Sequence, residues 1–459
     1  MSCFTRRELL KWSLLGTGAV ALAACAPKAP APEPEAPAAP KAEAEVPAKT
    51  AETIQLRFLT RQGDSGAHMR EFAKRYVEES EGRIEIETED TAWGEIPTKL
   101  ETQLVAGIMP DLAPMSTRNF PYLAMRGAFL EIEDLVEREN LDLSRWFIIE
   151  WFRRWTNGKL SGLGGAAGLS NVLAFYNKDW VVEAWGKEPS DDWTMDDFVE
   201  CMQACVELKG EGHFGTALAI GGSVEADSWV CNWGGSYLDD TYTVSTFAEE
   251  KTQDAIRWLR EQLANGNLPH REDAAEGSLA MFLAEKLAFN INNPGASSGM
   301  VRGAEASEFE LGVALYPKGP SAFETPPRYG FCPYANNFAI SARTEYPDET
   351  FGLMMLVLSA ESFKWRTLNY GFQPGAMMDA WYDPEVVEMF PWFPKTADVM
   401  MQAPSYYPVP ANTRYNEWAD IGTNEIPPLV YGEVEYNDAN VQMVDDHLQD
   451  ILDLPTPGA

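Results

Sequence analysis

Between Thr53 and Leu112 the hydrophobic period switches repeatedly from two residues to about 3.6 and back, and few folds accommodate that pattern. Thr53-Ile-Gln-Leu-Arg-Phe-Leu59 alternates as a strand does, a polar, glycine-bearing loop covers Thr60 to Gly66, and an amphipathic helix is predicted from about Ala67 to Glu79. Arg83-Ile-Glu-Ile-Glu-Thr88 alternates again, Lys99 to Ala106 predicts a second helix, and Gly107-Ile-Met-Pro-Asp-Leu112 leads into a third strand. Strands alternating with helices imply an α/β domain on a largely parallel sheet. Ligands of such sheets collect beyond the carboxyl ends of the strands, which makes Arg61, Asp64, Trp93 and Asp111 candidate site residues.

The 459 residues are too many for one ordinary core, so two domains are expected. Glycines interrupt the pattern at Asn157-Gly-Lys-Leu-Ser-Gly-Leu-Gly-Gly165, and Val172 to Asp179 reads as a strand entering a turn. Helices are predicted at Met195 to Leu208, Thr252 to Asn265, Phe351 to Ser359 and Asn440 to Leu452, and an apolar strand at Leu287 to Asn292.

Ahead of the body, Arg6 and Arg7 precede an apolar run from Trp12 to Ala24 that ends in Leu22-Ala-Ala-Cys25. A basic start, a short apolar core and small residues at its end predict an export signal over residues 1–24, and the run is too short to span a membrane. Thr5-Arg6-Arg7-Glu8-Leu9-Leu10-Lys11 looks like a twin-arginine signal, and Leu22 to Cys25 resembles a lipobox, whose cysteine would carry lipid. Residues 25–51, almost all Ala, Pro, Glu, Lys and Val, bury too little apolar surface to fold and predict a tether. The formal charge of −34 argues against nucleic acid or an anionic membrane surface as partner and is compatible with a neutral ligand. Cys201, Cys205, Cys231 and Cys332 remain as free thiols or as a disulfide whose pairing sequence does not fix. The chain has four histidines and no Cys-x-x-Cys or His-x-x-x-His pair, so no metal or other cofactor is expected.

Three motifs compete with a purely binding role. Gly295-Ala-Ser-Ser-Gly299 has the spacing of a nucleophile elbow, with Ser297 as nucleophile and His447 the only histidine after it; Gly303 weakens the helix that must follow, and no Gly-rich oxyanion loop precedes it. Gly162-Leu-Gly-Gly-Ala-Ala167 matches a dinucleotide fingerprint but is followed by a strand-like stretch where a helix is needed, so a hinge or turn is expected. The pairs Asp196-Asp197 and Asp239-Asp240 have the residue type of glycosidase carboxylates, yet solvated caps explain them as well.

Taken in order, several segments resemble family 1 extracellular solute-binding proteins, the capture components of ABC importers. They are Lys99-Leu100 with Ala106-Gly-Ile-Met-Pro-Asp111, Gly127-Ala-Phe-Leu-Glu-Ile-Glu-Asp134, Asn157-Gly-Lys-Leu-x-Gly162, Phe175-Tyr-Asn-Lys-Asp179 and Trp193-Thr-Met-Asp-Asp-Phe198. Gly234-Gly235, Trp258-Leu-x-x-Gln-Leu-x-Asn-Gly266, Trp418 and Gly432 continue the series. Two places depart from the family pattern: Ser161-Gly-Leu-Gly164 stands for Tyr-Gly-x-Pro, and Pro294-Gly295 follows Asn293 where an aromatic is common.

The resemblance implies two α/β lobes with a ligand cleft between them, expected from residues 52–165 plus about 285–338 and from residues 166–284 plus about 339–459. It implies a protein without catalytic residues, located outside the cytoplasm and lipid-anchored at Cys25, that closes on a sugar and delivers it to membrane permease subunits. A sugar ring needs a flat aromatic for its C–H face and polar groups for its hydroxyl rim. Aromatics beside Gly, Asn or Gln in loop-like stretches, namely Trp93, Trp229, Trp233, Tyr329 and Phe372, are the candidate platforms; Arg61, Asp64, Glu95, Asp111, Asn293 and Gln373 are the candidate polar partners. A secreted hydrolase using Ser297 and His447 is the alternative.

Overall fold

The computed structural model describes residues 53–147, 149–221, 228–324, 332–402 and 414–455. The export signal, the tether, Cys25 and Tyr329 lie outside the described residues. Eight strands are present among them: β1 (Ile54–Arg61), β2 (Ile84–Thr91), β3 (Leu112–Met115), β4 (Leu163–Ser170), β5 (Leu173–Asn177), β6 (Phe289–Asn292), β7 (Leu311–Leu315) and β8 (Cys332–Ile340). They form two sheets, ordered β2-β1-β3-β8-β4 and β6-β5-β7.

Composition explains the placement of the first two strands. In β1, Leu56, Phe58, Leu59 and Thr60 are all buried, as a strand flanked by two others requires, whereas the charge-rich β2, Ile-Glu-Ile-Glu-Thr-Glu-Asp-Thr, stands at the edge, where charged side chains discourage further pairing. β1 pairs parallel with β2 over its whole length and with β3 at Phe58 and Leu112, while β8 runs antiparallel to both β3 and β4. The largely parallel character expected from the alternation therefore holds for β1, β2 and β3, but not where β8 enters the first sheet, nor in the second, in which β5 pairs antiparallel with both neighbours.

Strand pairing also departs from the expected lobe spans. Residues 285–338 were expected in the first lobe, yet β6 and β7 pair with β5 in the second sheet. Residues from about 339 were expected in the second, yet the helices Pro347–Val357 and Ala360–Tyr370 pack on the helix Ala67–Glu79, where Tyr76 donates to the Glu349 carbonyl (2.9 Å), Arg75 pairs with Glu361 (2.9 Å) and Phe72 meets Trp365 edge-on. An apolar strand carries no mark of which of two sheets it joins, so periodicity alone could not have assigned these segments.

Chain passes from the first sheet to the second through two residues, Asn171 and Val172, between β4 and β5. Asn171 takes the left-handed conformation, φ 57°, which asparagine tolerates better than most residues. The glycines expected as a hinge or turn lie inside β4 itself. A Cβ on Gly165 would sit 2.6 Å from the Phe338 ring and 2.7 Å from the Asn336 carbonyl, so β4 carries glycine because β8 leaves no room for a side chain. A strand at Leu163–Ser170 also removes the dinucleotide reading, which needs a helix there.

The helix Met195–Lys209 begins with a capping box, in which Thr194 and Asp197 bond reciprocally through side chain and backbone. Asp197 is thus a cap, as expected of the acidic pairs, and the Thr194 backbone N–H and hydroxyl hold its carboxyl below the usual range. Cys201, Cys205 and Cys231 are buried free thiols. No helix among the described residues is long and apolar enough to cross a membrane.

Candidate ligand-binding site

A cavity of about 560 Å³ opens where the carboxyl ends of β1 and β6 approach the β4–β5 passage and β8. Its first wall carries Arg61 from the end of β1, Trp93 just after β2, Arg118 after β3, Asn336 from β8, and Arg366, Phe372 and Gln373 from the helix Ala360–Tyr370 and the turn behind it. Asn292, Asn293, Gly295 and Ala296, which follow β6, face them from the second sheet, while Ser170 and Asn171 line the passage between. Another cavity of about 550 Å³, beside Arg154, Trp155 and Thr241, lies away from the strand ends that serve as ligand sites in α/β sheets.

Local sequence shapes the Arg61 corner. The turn after β1 doubles back so tightly that a Cβ on Gly66 would lie 1.8 Å from the Arg61 carbonyl, and Gly63 supplies φ 69°. Arg70 donates to the carbonyls of Arg61 (2.7 Å) and Gly63 (2.8 Å), pinning the turn. The Arg61 guanidinium lies over the Trp93 ring, 4.0 Å from its centroid, so one face of this indole is already covered. Burial lowers the Arg61 pKa to about 10. Beneath the corner, His68 is buried and held neutral, its pKa driven well below the usual value by desolvation and then by Arg366, Arg61 and Arg70.

On the opposite wall Asn293 folds the loop after β6: its Oδ1 accepts from the Gly295 N–H (2.8 Å), and its own N–H donates to Asn292 Oδ1 (2.9 Å). Gly295 leaves room for Gln373, whose Oε1 a Cβ there would meet at 2.6 Å.

Five of the residues expected at a site, Arg61, Trp93, Asn293, Phe372 and Gln373, thus line one cavity. The others have different placements. Asp64 is exposed in the turn Asp64–Gly66, next to cavity-lining Ser65, and Glu95 is exposed on the far side of the turn Trp93–Glu95, with Lys99 and Asp90. Asp111 is a structural latch: its carboxylate accepts from the Arg57 N–H (2.8 Å) and from the Thr344 hydroxyl (2.7 Å), tying β1 to the segment after β8. Trp229 is fully buried and donates to the Ala219 carbonyl (2.8 Å), so it braces a cavity-lining residue without facing the cavity. Trp233 is half-buried against Trp258, ring centroids 4.9 Å apart.

The elbow serine is also accounted for. A helix does follow it, Ser297–Ala306, despite Gly299 and Gly303, so helix support was underestimated. Ser297, however, has ordinary helical angles (φ −50°, ψ −49°), is fully buried, and its hydroxyl accepts from the Trp392 indole (2.9 Å), whereas an elbow nucleophile sits exposed on a strained turn. His447 bonds Glu425 through Nδ1 (2.9 Å) on the helix Asp438–Asp453. No group of three or more His, Cys, Asp or Glu suited to a metal ion occurs among the described residues.

The geometry, two sheets with a polar, aromatic-lined cleft at their strand ends, has close counterparts. The family model for bacterial extracellular solute-binding proteins matches residues 71–388. The chain belongs to this family. No curated protein matches the sequence. Among solved structures, this solute-binding protein is similar to an ABC substrate-binding protein from Listeria monocytogenes in complex with cycloalternan (18% identity, 87% of this chain and 99% of that one, TM-score 0.69). It is also similar to the sugar-binding protein MalE from Xanthomonas citri (16%, 87% and 97%, 0.72) and to UgpB from Mycobacterium tuberculosis in complex with glycerophosphocholine (17%, 88% and 99%, 0.69). At these identities the likeness speaks for the fold, the two-lobed fold of periplasmic binding proteins.

Proposed function

We propose that the protein is the capture component of an ABC importer: it binds a sugar or oligosaccharide between its lobes, closes on it and delivers it to permease subunits in the membrane. The observation that carries this is the cavity walled by both sheets at once, so that a ligand touching Trp93 and Asn293 together favours the closed form over the open one. The two lobes correspond to the two sheets, with Asn171 and Val172 as one crossing. Its volume falls in the range of about 300–1,000 Å³ common for small-molecule sites. The structures it resembles support the ligand class through cycloalternan and the sugar-binding MalE, although glycerophosphocholine occurs among them too. Capture without chemistry is the reading favoured over a hydrolase, because Ser297, the serine that fits an elbow spacing, is buried and its hydroxyl accepts from the Trp392 indole.

Export and anchoring complete the proposal. Lipidation at Cys25, with residues 25–51 as a tether, keeps the receptor beside its permease outside the cytoplasm. Cys25→Ser should release the protein from membranes, and two permease genes are expected next to its own.

The cleft is tested with a panel of mono- and oligosaccharides. A bound ligand at about 100 times its Kd stabilises by about 2.7 kcal/mol and so raises the melting temperature. Trp93→Ala is expected to weaken binding about tenfold, because it removes both the aromatic surface and the support of Arg61. Trp229→Ala, by contrast, should lower the melting temperature of the free protein, because Trp229 is fully buried. No shift with any glycan, or unaltered affinity in Trp93→Ala, contradicts the proposal.

A further inference from the structure

The cavity of about 550 Å³ shares no lining residue with the ligand cleft among the described residues, and the two lie toward opposite ends of β3. Phe129, on its wall, bridges to Ser341 just past β8, beside the amino end of β3, whereas Arg118 and Asn336 bring the cleft to the carboxyl end. Its volume is also within the range of about 300–1,000 Å³ common for small-molecule sites.

Aromatic rings form its floor. Phe129 stacks on Phe120 (centroids 5.2 Å apart), Phe120 meets Trp151 (5.4 Å), Trp151 meets Trp155 (6.0 Å) and Trp155 meets Tyr242 (5.6 Å). The run joins the helix Ile149–Arg154 to the segment around Thr241. That segment is fixed from behind, where Ser245 donates to Asp445 (2.5 Å) and Gln449 to the Thr243 carbonyl (3.1 Å). Tyr242 is buried at φ 64°, a left-handed conformation that is costly for a bulky residue and that concentrates at functional sites. Trp155 is only 7% exposed, and its indole Nε1 has no hydrogen-bond partner among the described residues.

Polar groups stand above this floor. Glu131, Arg154, Asn157 and Thr241 line the cavity and are exposed, and neither Glu131 nor Arg154 makes an ion pair among the described residues. The Arg154 guanidinium lies over the Tyr242 ring, 4.4 Å from its centroid, which orders its plane. A carboxylate only accepts hydrogen bonds, a guanidinium only donates, and an amide and a hydroxyl do both. A ligand that satisfies all four must itself donate and accept, as each hydroxyl of a sugar does. An anion would meet Glu131, and a cation Arg154, at like charge.

We propose that this cavity is a second binding site, for a neutral, hydroxyl-rich molecule of mono- or disaccharide size. Its hydroxyls lie among Glu131, Arg154, Asn157 and Thr241, and its carbon skeleton rests against Trp155 and Phe129. A hydroxyl oxygen seated against Trp155 gives the indole N–H the acceptor it lacks. The site is separate from capture in the cleft and does not depend on it.

The test titrates the full chain calorimetrically with glucose, maltose and myo-inositol, and with glucuronate and glucosamine as charged counterparts. Trp93→Ala weakens the cleft and leaves this cavity intact, so at least one neutral member should still bind that variant. Adding Glu131→Ala should weaken the residual binding at least about tenfold. Asn157 takes φ 54°, which glycine accepts, so Asn157→Gly gives the same comparison if Glu131→Ala loses stability. Residual binding unchanged in both variants, or binding governed by Trp93 alone, overturns the proposal and leaves capture in the cleft standing. Glucuronate or glucosamine binding the Trp93→Ala protein more tightly than glucose also overturns it, because the site is then not one for neutral polyols. Binding of none of the five overturns it as well, and the wider glycan panel then decides the capture function by itself.

Discussion

At the scale of residues, His68 makes a prediction independent of any ligand. It is fully buried among Arg61, Arg70 and Arg366 and neutral when folded, but an unfolded histidine titrates near pH 6.5. Below that pH the unfolded chain binds a proton that the native protein does not, so stability present above about pH 6.5 is lost as pH falls, by about 1.4 kcal/mol per pH unit. The depressed carboxylates, such as Glu89 held by Lys99 and Gln103, titrate further into acid and leave the interval between about pH 6.5 and 5 to histidine. Unfolding of His68→Gln followed across that interval should show a shallower loss than the parent; equal slopes would contradict the assignment. Cavity-lining residues were legible where a side chain lay at or just beyond the end of a strand, as with Arg61, Trp93 and Asn293, because strand ends could be located by period. Arg366 was not, since a cation inside the helix Ala360–Tyr370 resembles any solvated helix face, and only the fold turns it inward. Asn336 did leave a signal, an Asn-Asn pair inside a strand, that went unused. Asp111 and Trp229 were misplaced for a shared reason: a loop acid or loop tryptophan looks the same whether it faces ligand or its own scaffold.

At the scale of elements, β4 and β8 determine how closely the cleft wall can pack. Gly165→Val would drive two methyl groups into Phe338 and the Asn336 carbonyl, and overpacking of this kind costs about 1–3 kcal/mol or more. Denaturant unfolding should show that loss, together with weakened ligand binding because Asn336 lines the cleft; a variant as stable as the parent would mean that β4 is free to shift. Helices were legible nearly to the residue when both a period and an end signal were present. Ala67–Glu79 was predicted in full, and Met195–Lys209 to within one residue, because Thr194 and Asp197 form a capping box. Ser297–Ala306 was not, because its two glycines lower helix propensity and the packing that overrides them, Ser297 and Met300 fully buried, is tertiary.

At the scale of the whole molecule, two sheets joined through Asn171 and Val172 place Arg61 and Trp93 across one cavity from Asn292 and Asn293, and the account depends on one ligand touching both walls. The α/β class followed from the alternation of periods over the first sixty residues of the body, whereas the division into lobes did not, since β6 and β7 return to the second sheet after a long excursion. Closure is the expected consequence of two-sided contact, and it requires differential affinity for the closed state. The most direct measurement is a crystal structure grown with the solute that stabilises the protein most. Its ligand should lie between Arg61 and Trp93 on one side and Asn293 on the other, with the lobes closed around it; a ligand bound elsewhere, or touching one wall only with the lobes unmoved, would contradict the account.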